Sequence, residues 1–190
     1  MRFMHPRFHS GFTNPMVAST FSMEKLWAPW RMPFIQSTKK KKPSDCIFCK
    51  ASRERKDKAN FVLGRGEYSV ALLNIFPYNN GHLMIAPMRH TGDFNRISGV
   101  EWQDMMALMG ECQRALEKTL HPHGYNIGIN LGRAAGAGIE DHLHIHLIPR
   151  WAGDTNFMTA IGETRVLPED LTQTASRLRP IFERLSHSGA

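Results

Sequence analysis

Polar and apolar positions alternate with a period of two along His142-Leu-His-Ile-His-Leu-Ile148. This is the pattern of a half-buried strand, and Pro149 marks its end. Leu143, Ile145 and Leu147 take the core side. Three imidazoles take the other, with neighbours about 6.5 Å apart for a rise of ~3.3 Å per residue, a row long enough to line a diphosphate. An ordinary amphipathic strand would favour Thr or Tyr on its polar face, so three titratable rings point to chemistry. Upstream, Tyr68–Asn74 reads as a buried strand, Ile75–Gly81 as a turn and His82–Pro87 as a second strand, together an antiparallel hairpin. Ser98 and Glu101 form a capping-box pattern, and Trp102, Met105, Met109, Cys112, Leu116 and Leu120 recur at helical spacing. One long helix ending at His121 is predicted. Gly124–Leu131 is another strand, followed by the glycine-rich loop Gly132–Gly138 that leads into the histidines. Leu171, Leu178, Ile181 and Leu185 predict a last helix over Pro168–Ser186, kinked at Pro180. Strands, then a helix, then strands argue for an α+β fold with an antiparallel sheet.

Composition narrows the class. The 190 residues suit one domain with appendages, and a 42% hydrophobic content suffices for a core. No run approaches the ~18 apolar residues of a membrane span. A formal charge of +7 suits nucleic acid and small polyphosphates alike, but the excess lies in the tail and linker, which argues against nucleic acid. Three cysteines are too few and too unevenly placed for a secreted disulfide framework, so a reducing, cytoplasmic setting is expected. Residues 1–22 are acid-free, like a mitochondrial transit peptide, yet Pro6, Gly11 and Pro15 oppose the amphipathic helix such a peptide needs. The expected organisation is a disordered tail over 1–25, a folded domain over 26–160 and a helical tail over 161–190. Leu26–Ile35, with two tryptophans, is expected to pack on the domain or a second subunit, and Lys39–Lys42 to be a solvated run in a linker.

Three constellations carry chemistry. Cys46 and Cys49 have the spacing of a metal knuckle, with His90 and His142 as candidates to complete a closed, structural Cys2His2 zinc site. Two reduced cysteines without metal are the alternative. Gly132, Gly136 and Gly138 allow backbone N–H groups to turn toward an anion, and Arg133 either adds a charge or faces solvent. Among the histidines, a largely neutral imidazole can approach an anionic phosphorus, and the middle ring, His144, is best placed to attack. His146 beside it can donate a hydrogen bond to phosphate oxygen. Attack on an α-phosphorus would give a covalent nucleotidyl-histidine, resolved by water or by phosphate.

These residues resemble the histidine triad family. The pattern His-x-His-x-His followed by two apolar residues is its signature, and His142–Ile148 matches it. Leu26–Arg31, Asn74–His82 and Pro149–Phe157 resemble the bacterial branch of diadenosine tetraphosphate phosphorylases and hydrolases. The resemblance implies a homodimer of α+β protomers whose sheets join, each binding a nucleotide. It implies His144 as nucleophile with His82 and His146 in support, Asn74 at the ribose and Leu72 at the base. Asn130 and the loop Gly136, Ala137, Gly138 match phosphate-side contacts, and Cys46, Cys49, His90 and His142 match the zinc site. Many members carry Gln and Ser four and three residues before the first triad histidine, where this chain has Gly138 and Ile139. A backbone N–H there can bind phosphate but cannot act as a side-chain acid. The expected function is therefore cleavage of diadenosine polyphosphates, by phosphorolysis with phosphate as co-substrate or by hydrolysis. A nucleoside phosphoramidase or general nucleotide hydrolase, and a non-catalytic nucleotide sensor, are the alternatives.

Overall fold

The structure, a computed structural model, describes residues 46–154 and 169–188. The expectations for residues 1–45 and for the run 155–168 lie outside the described residues. The elements are α1 (Ile47–Arg53), β1 (Val62–Arg65), β2 (Ser69–Leu73), β3 (Leu83–Pro87), α2 (Gly99–Leu120), β4 (Gly124–Ile129), β5 (Ile145–Arg150) and α3 (Leu171–Ser188). All five strands join one antiparallel sheet in the order β1-β2-β3-β5-β4.

Strand alternation divides the molecule at the sheet. One face carries Leu63, Ala71, Leu73, Leu83, Ile85, Ile145 and Leu147 into a core closed by Met105, Leu108, Cys112 and Leu116 of α2 and by Ala175, Leu178 and Phe182 of α3. The other carries Val62, Val70, Leu72, Met84 and Ala86 beneath Phe48 and Ala51 of α1. The expected hairpin forms, with Leu72 opposite Met84 and Leu73 opposite Leu83. The long helix forms as well, and its capping box is complete: the Ser98 side chain accepts from the Glu101 N–H, and the Glu101 carboxylate accepts from the Ser98 N–H. His121 ends it in the left-handed conformation. Arg89 reaches Glu101 at 3.0 Å, and this pairing first of all holds the Glu101 carboxyl down at about 2. The last helix continues on both sides of Pro180, whose side is exposed.

Two boundaries differ from the sequence expectation. The histidine strand starts at Ile145, not at His142, because the β3 ladder ends at the pair Ile85 with Ile145. Before it, the backbone is held by Leu143 N–H donating to Thr91 O at 2.7 Å. Pro149, expected to end the strand, lies inside it opposite Tyr125. Its carbonyl accepts from the Asn79 side chain at 3.1 Å, on the flank where β3 has already ended, so the missing N–H forfeits no ladder bond. The strand expected over Gly124–Leu131 stops at Ile129. β1 and α1 were not anticipated. The cysteine pair sits at the start of α1, with Cys46 as N-cap.

Candidate active site and metal cluster

Pairing across the sheet gathers the expected residues onto the α1 side. Leu72 lies opposite Met84, Met84 opposite His146, and His146 opposite Gly128, a single row across four strands. A side chain at Gly128 would meet nothing within 4 Å, so the sheet beside His146 is open. His142 and His144 precede His146 on the same side, each against the fully buried ring of Phe48, with centroids 5.0 and 4.9 Å away. His144 and His146 follow at 4.8 Å.

Hydrogen bonds fix the proton on each ring. Two donors, the Tyr78 N–H at 3.1 Å and the Asn74 side-chain amide at 3.3 Å, converge on His82 Nδ1, which must therefore be an acceptor. The proton of His82 is thus on Nε2, from which it donates to His146 Nδ1 at 2.9 Å. That in turn places the His146 proton on Nε2, and the Asn130 carboxamide, 3.4 Å away, matches this tautomer when it turns its oxygen and not its Nδ2 to the ring. His144 Nδ1–H donates to the His142 carbonyl at 2.8 Å, which leaves its Nε2 with a lone pair. Burial pushes the His144 pKa below the ordinary value, against the opposing pull of that carbonyl. The result is a neutral nucleophilic nitrogen beside a ring aimed to donate.

The four expected metal ligands also come together. Cys46 Sγ lies 3.3 Å and Cys49 Sγ 3.6 Å from His142 Nδ1. His90 Nδ1 is 3.1 Å from Cys49 Sγ and 3.2 Å from His142 Nδ1. A tetrahedral ion with bonds of ~2.3 Å to sulfur and ~2.05 Å to nitrogen has N–N and S–N edges of about 3.3 and 3.6 Å, so these four separations fit within about half an ångström. His142 Nε2–H donates to Pro87 O at 2.8 Å, turning the unprotonated Nδ1 toward the cluster. Burial, then the neighbouring Cys46, push the Cys49 thiol up to about 11, and burial pushes His142 down to about 4. A bound cation would offset the cost of forming thiolates in such surroundings, and the donor set suits zinc.

The remaining expected residues are placed with less convergence. Leu72 is buried in β2 under α1. In the glycine-rich loop, the Gly136 N–H donates to Arg133 O and the Ala137 N–H to Gly132 O, so these two groups close the loop on itself; Gly138 is half-buried. Arg133 pairs with Glu140 at 2.7 Å. Three contributors were not anticipated: Phe48 as the wall behind two imidazoles, the Tyr78 N–H, and the Pro87 carbonyl. Only Phe48 left a trace in the sequence, as an aromatic between two paired cysteines.

Comparison with known proteins agrees with this arrangement. The HIT domain model matches residues 55–153. An AP-4-A phosphorylase from Mycobacterium tuberculosis is 35% identical over 167 residues, covering 85% of this chain and 86% of that protein. An adenosine 5'-monophosphoramidase from Schizosaccharomyces pombe is 31% identical over 105 residues, 55% of this chain and 74% of its own. A Zn-bound histidine triad family protein from Mycobacterium smegmatis superposes with a TM-score of 0.60 at 25% identity, covering 77% of this chain and 99% of that one. Fold, imidazole row and family match converge on one assignment: this chain belongs to the HIT domain, or histidine triad, family.

Proposed function

We propose that this chain is a nucleotidyl-transfer enzyme that cleaves diadenosine polyphosphates, with diadenosine tetraphosphate as its first substrate to test. The observation that carries this is the pairing of a His144 Nε2 lone pair with a His82-to-His146 relay that delivers a donor beside it. The likeness to an AP-4-A phosphorylase over most of both chains supplies the substrate class.

In this reading, His144 Nε2 attacks the α-phosphorus and the bond to the bridging oxygen breaks, releasing ATP from diadenosine tetraphosphate. His146 Nε2–H bonds to the phosphate oxygens as their charge grows. The nucleotidyl-histidine is then attacked by phosphate to release ADP, or by water to release AMP. Leu72 and Asn74 serve base and ribose, and Asn130 with Gly136, Ala137 and Gly138 serve the phosphates. Since Gly138 offers only a backbone N–H, the leaving nucleotide departs as an anion, without a side-chain acid at that position. Cys46, Cys49, His90 and His142 hold a structural zinc whose closed ligand set keeps His142 in register. Two protomers join at β4, an edge strand that exposes Ile127 at 53%, to form one continuous sheet; sedimentation of an Ile127→Lys variant as a monomer is the expected check. The setting is cytoplasmic.

The decisive experiment is product analysis of diadenosine tetraphosphate turnover with and without phosphate. Phosphate-dependent formation of ATP and ADP supports phosphorolysis, and ATP with AMP supports hydrolysis. Unchanged cleavage by His144→Ala removes the proposed nucleophile. The phosphoramidase reading has support in the Schizosaccharomyces pombe relative, and faster turnover of an adenosine phosphoramidate than of the dinucleotide would favour it.

A further inference from the structure

The turn between β2 and β3 does more than connect strands, because its Tyr78 N–H is the nearer of the two donors that keep the His82 proton off Nδ1, the Asn74 amide being the other. What holds that turn is a pair of adjacent asparagines, each bound to a different part of the fold. Asn79 Nδ2 donates to Pro149 O at 3.1 Å and to Asp154 Oδ2 at 2.9 Å. Asp154 is itself fixed by Arg150, whose Nη2 reaches Oδ1 at 2.8 Å, and by the Trp151 N–H at 3.2 Å. The Asn80 carboxamide lies 3.0 Å from the Thr174 hydroxyl of α3, whose one proton it shares with the Glu169 carboxylate and the Asp170 carbonyl. That hydroxyl is buried, at 1% exposure, and also lies 2.9 Å from Glu169, which Arg177 holds in turn. The turn is thus pinned at one end of β5 and at the first turns of the last helix. Two residues beyond these pins stands His82, fully buried.

We propose that Asn79 and Asn80 are positioning residues for the imidazole relay, clamped by Asp154 and by Thr174 so that the Tyr78 N–H keeps His82 in the tautomer that donates to His146. The inference rests on the reading of His146 as the phosphate-side donor and deepens it. Neither asparagine touches the reacting atoms. Release of either clamp lets the turn rotate its N–H away from His82 Nδ1 and leaves the longer Asn74 contact to hold the tautomer, so the His82 proton starts to populate both nitrogens and the Nε2–H of His146 is enforced less strongly. Binding of nucleotide through base and ribose does not depend on that proton, so the turnover step takes the effect.

The test uses the full chain, loaded with zinc, as Asn79→Ala, Thr174→Val and Thr174→Ser. Histidine 15N spectra, with His82 assigned from the signals lost in His82→Gln, report its tautomer without substrate. Wild type is expected to show an unprotonated Nδ1 and a protonated Nε2 at His82. Asn79→Ala and Thr174→Val are expected to bring the two shifts toward each other. The same variants lower kcat on diadenosine tetraphosphate by about tenfold to a hundredfold with KM within about twofold. Thr174→Ser restores both readouts. The proposal is overturned if His82 keeps its wild-type tautomer in both variants, or if the tautomer shifts and kcat stays within about twofold of wild type. Should Asn79→Ala fail to fold, the Val and Ser pair at Thr174 decides by the same criteria. If wild type does not turn over the dinucleotide at all, the substrate reading fails while the 15N spectra still judge the clamp.

Discussion

Replacing Phe48 by alanine withdraws a ring that packs against both His142 of the metal cluster and His144. The ring is completely buried, and a buried aromatic removes ~150–250 Å² from water. At ~25 cal/mol per Å², the difference between this ring and a methyl group is worth about 3 kcal/mol. A residual hole of up to ~100 Å³ adds up to about 2 kcal/mol at ~24 cal/mol per Å³. The expected loss is therefore about 3–5 kcal/mol, a large share of the ~5–15 kcal/mol that holds a typical domain together. Phe48→Leu keeps most of the volume and is expected to cost about 1–1.5 kcal/mol. Urea titrations in a fixed excess of zinc measure both values. Activity on diadenosine tetraphosphate should follow in the same order, with kcat for Phe48→Ala down at least about tenfold as the His144 ring loses its back wall. A loss below about 1.5 kcal/mol would show that the ring does not fill a closed site. Full kcat in a variant destabilised as expected would refute the claim that Phe48 sets the His144 ring.

Other outcomes follow from single contacts. Cys49→Ser should abolish the stoichiometric metal found by elemental analysis and lower the Tm, while Cys112→Ser, distant from the cluster and buried in the other core, keeps the metal. Gly92→Ala should destabilise by about 1–3 kcal/mol and lower activity with it. A Cβ there meets the Glu140 carbonyl, and backbone cannot yield without moving the segment that carries His142 and His144. Glu101 gives a pH signature. Its folded pKa of about 2 lies below the ordinary 4.5, so its contribution is fully present above about pH 4.5 and is lost as pH falls toward about 2. Denaturation midpoints across that window should fall more steeply for wild type than for Glu101→Gln; parallel curves would show that the Arg89 pairing does not stabilise the fold.

What the sequence revealed tracks how local each cause is. The Ser98–Glu101 box, the helix behind it and the β2–β3 hairpin are written within a few residues of where they form, and all three appear as expected. α1 is only seven residues long, and its last carbonyls are held by a distant group: Arg65 Nη2 donates to Ala51 O at 2.7 Å and to Glu54 O at 3.2 Å. Spacing within the helix gives no sign of that. β1 is four residues with a glycine inside, too short for periodicity to stand out. At the site, the period of two found the imidazole row, and the cysteine spacing found half of the cluster. The tautomers stayed hidden because backbone atoms help set them, the Tyr78 N–H for His82 and the carbonyls of Pro87 and His142 for the His142 and His144 rings, with His146 set in turn by His82.

The His142 residue faces two ways, its ring toward the cysteines and its carbonyl toward the His144 ring. Thermodynamic linkage makes that arrangement reciprocal. If an ion in the cluster stiffens the carbonyl that orients His144 and so tightens nucleotide binding by some factor, nucleotide must tighten the hold on the ion by the same factor. Metal exchange measured with and without a nonreactive nucleotide would then read the coupling between the two ends of a three-residue stretch, without a single turnover.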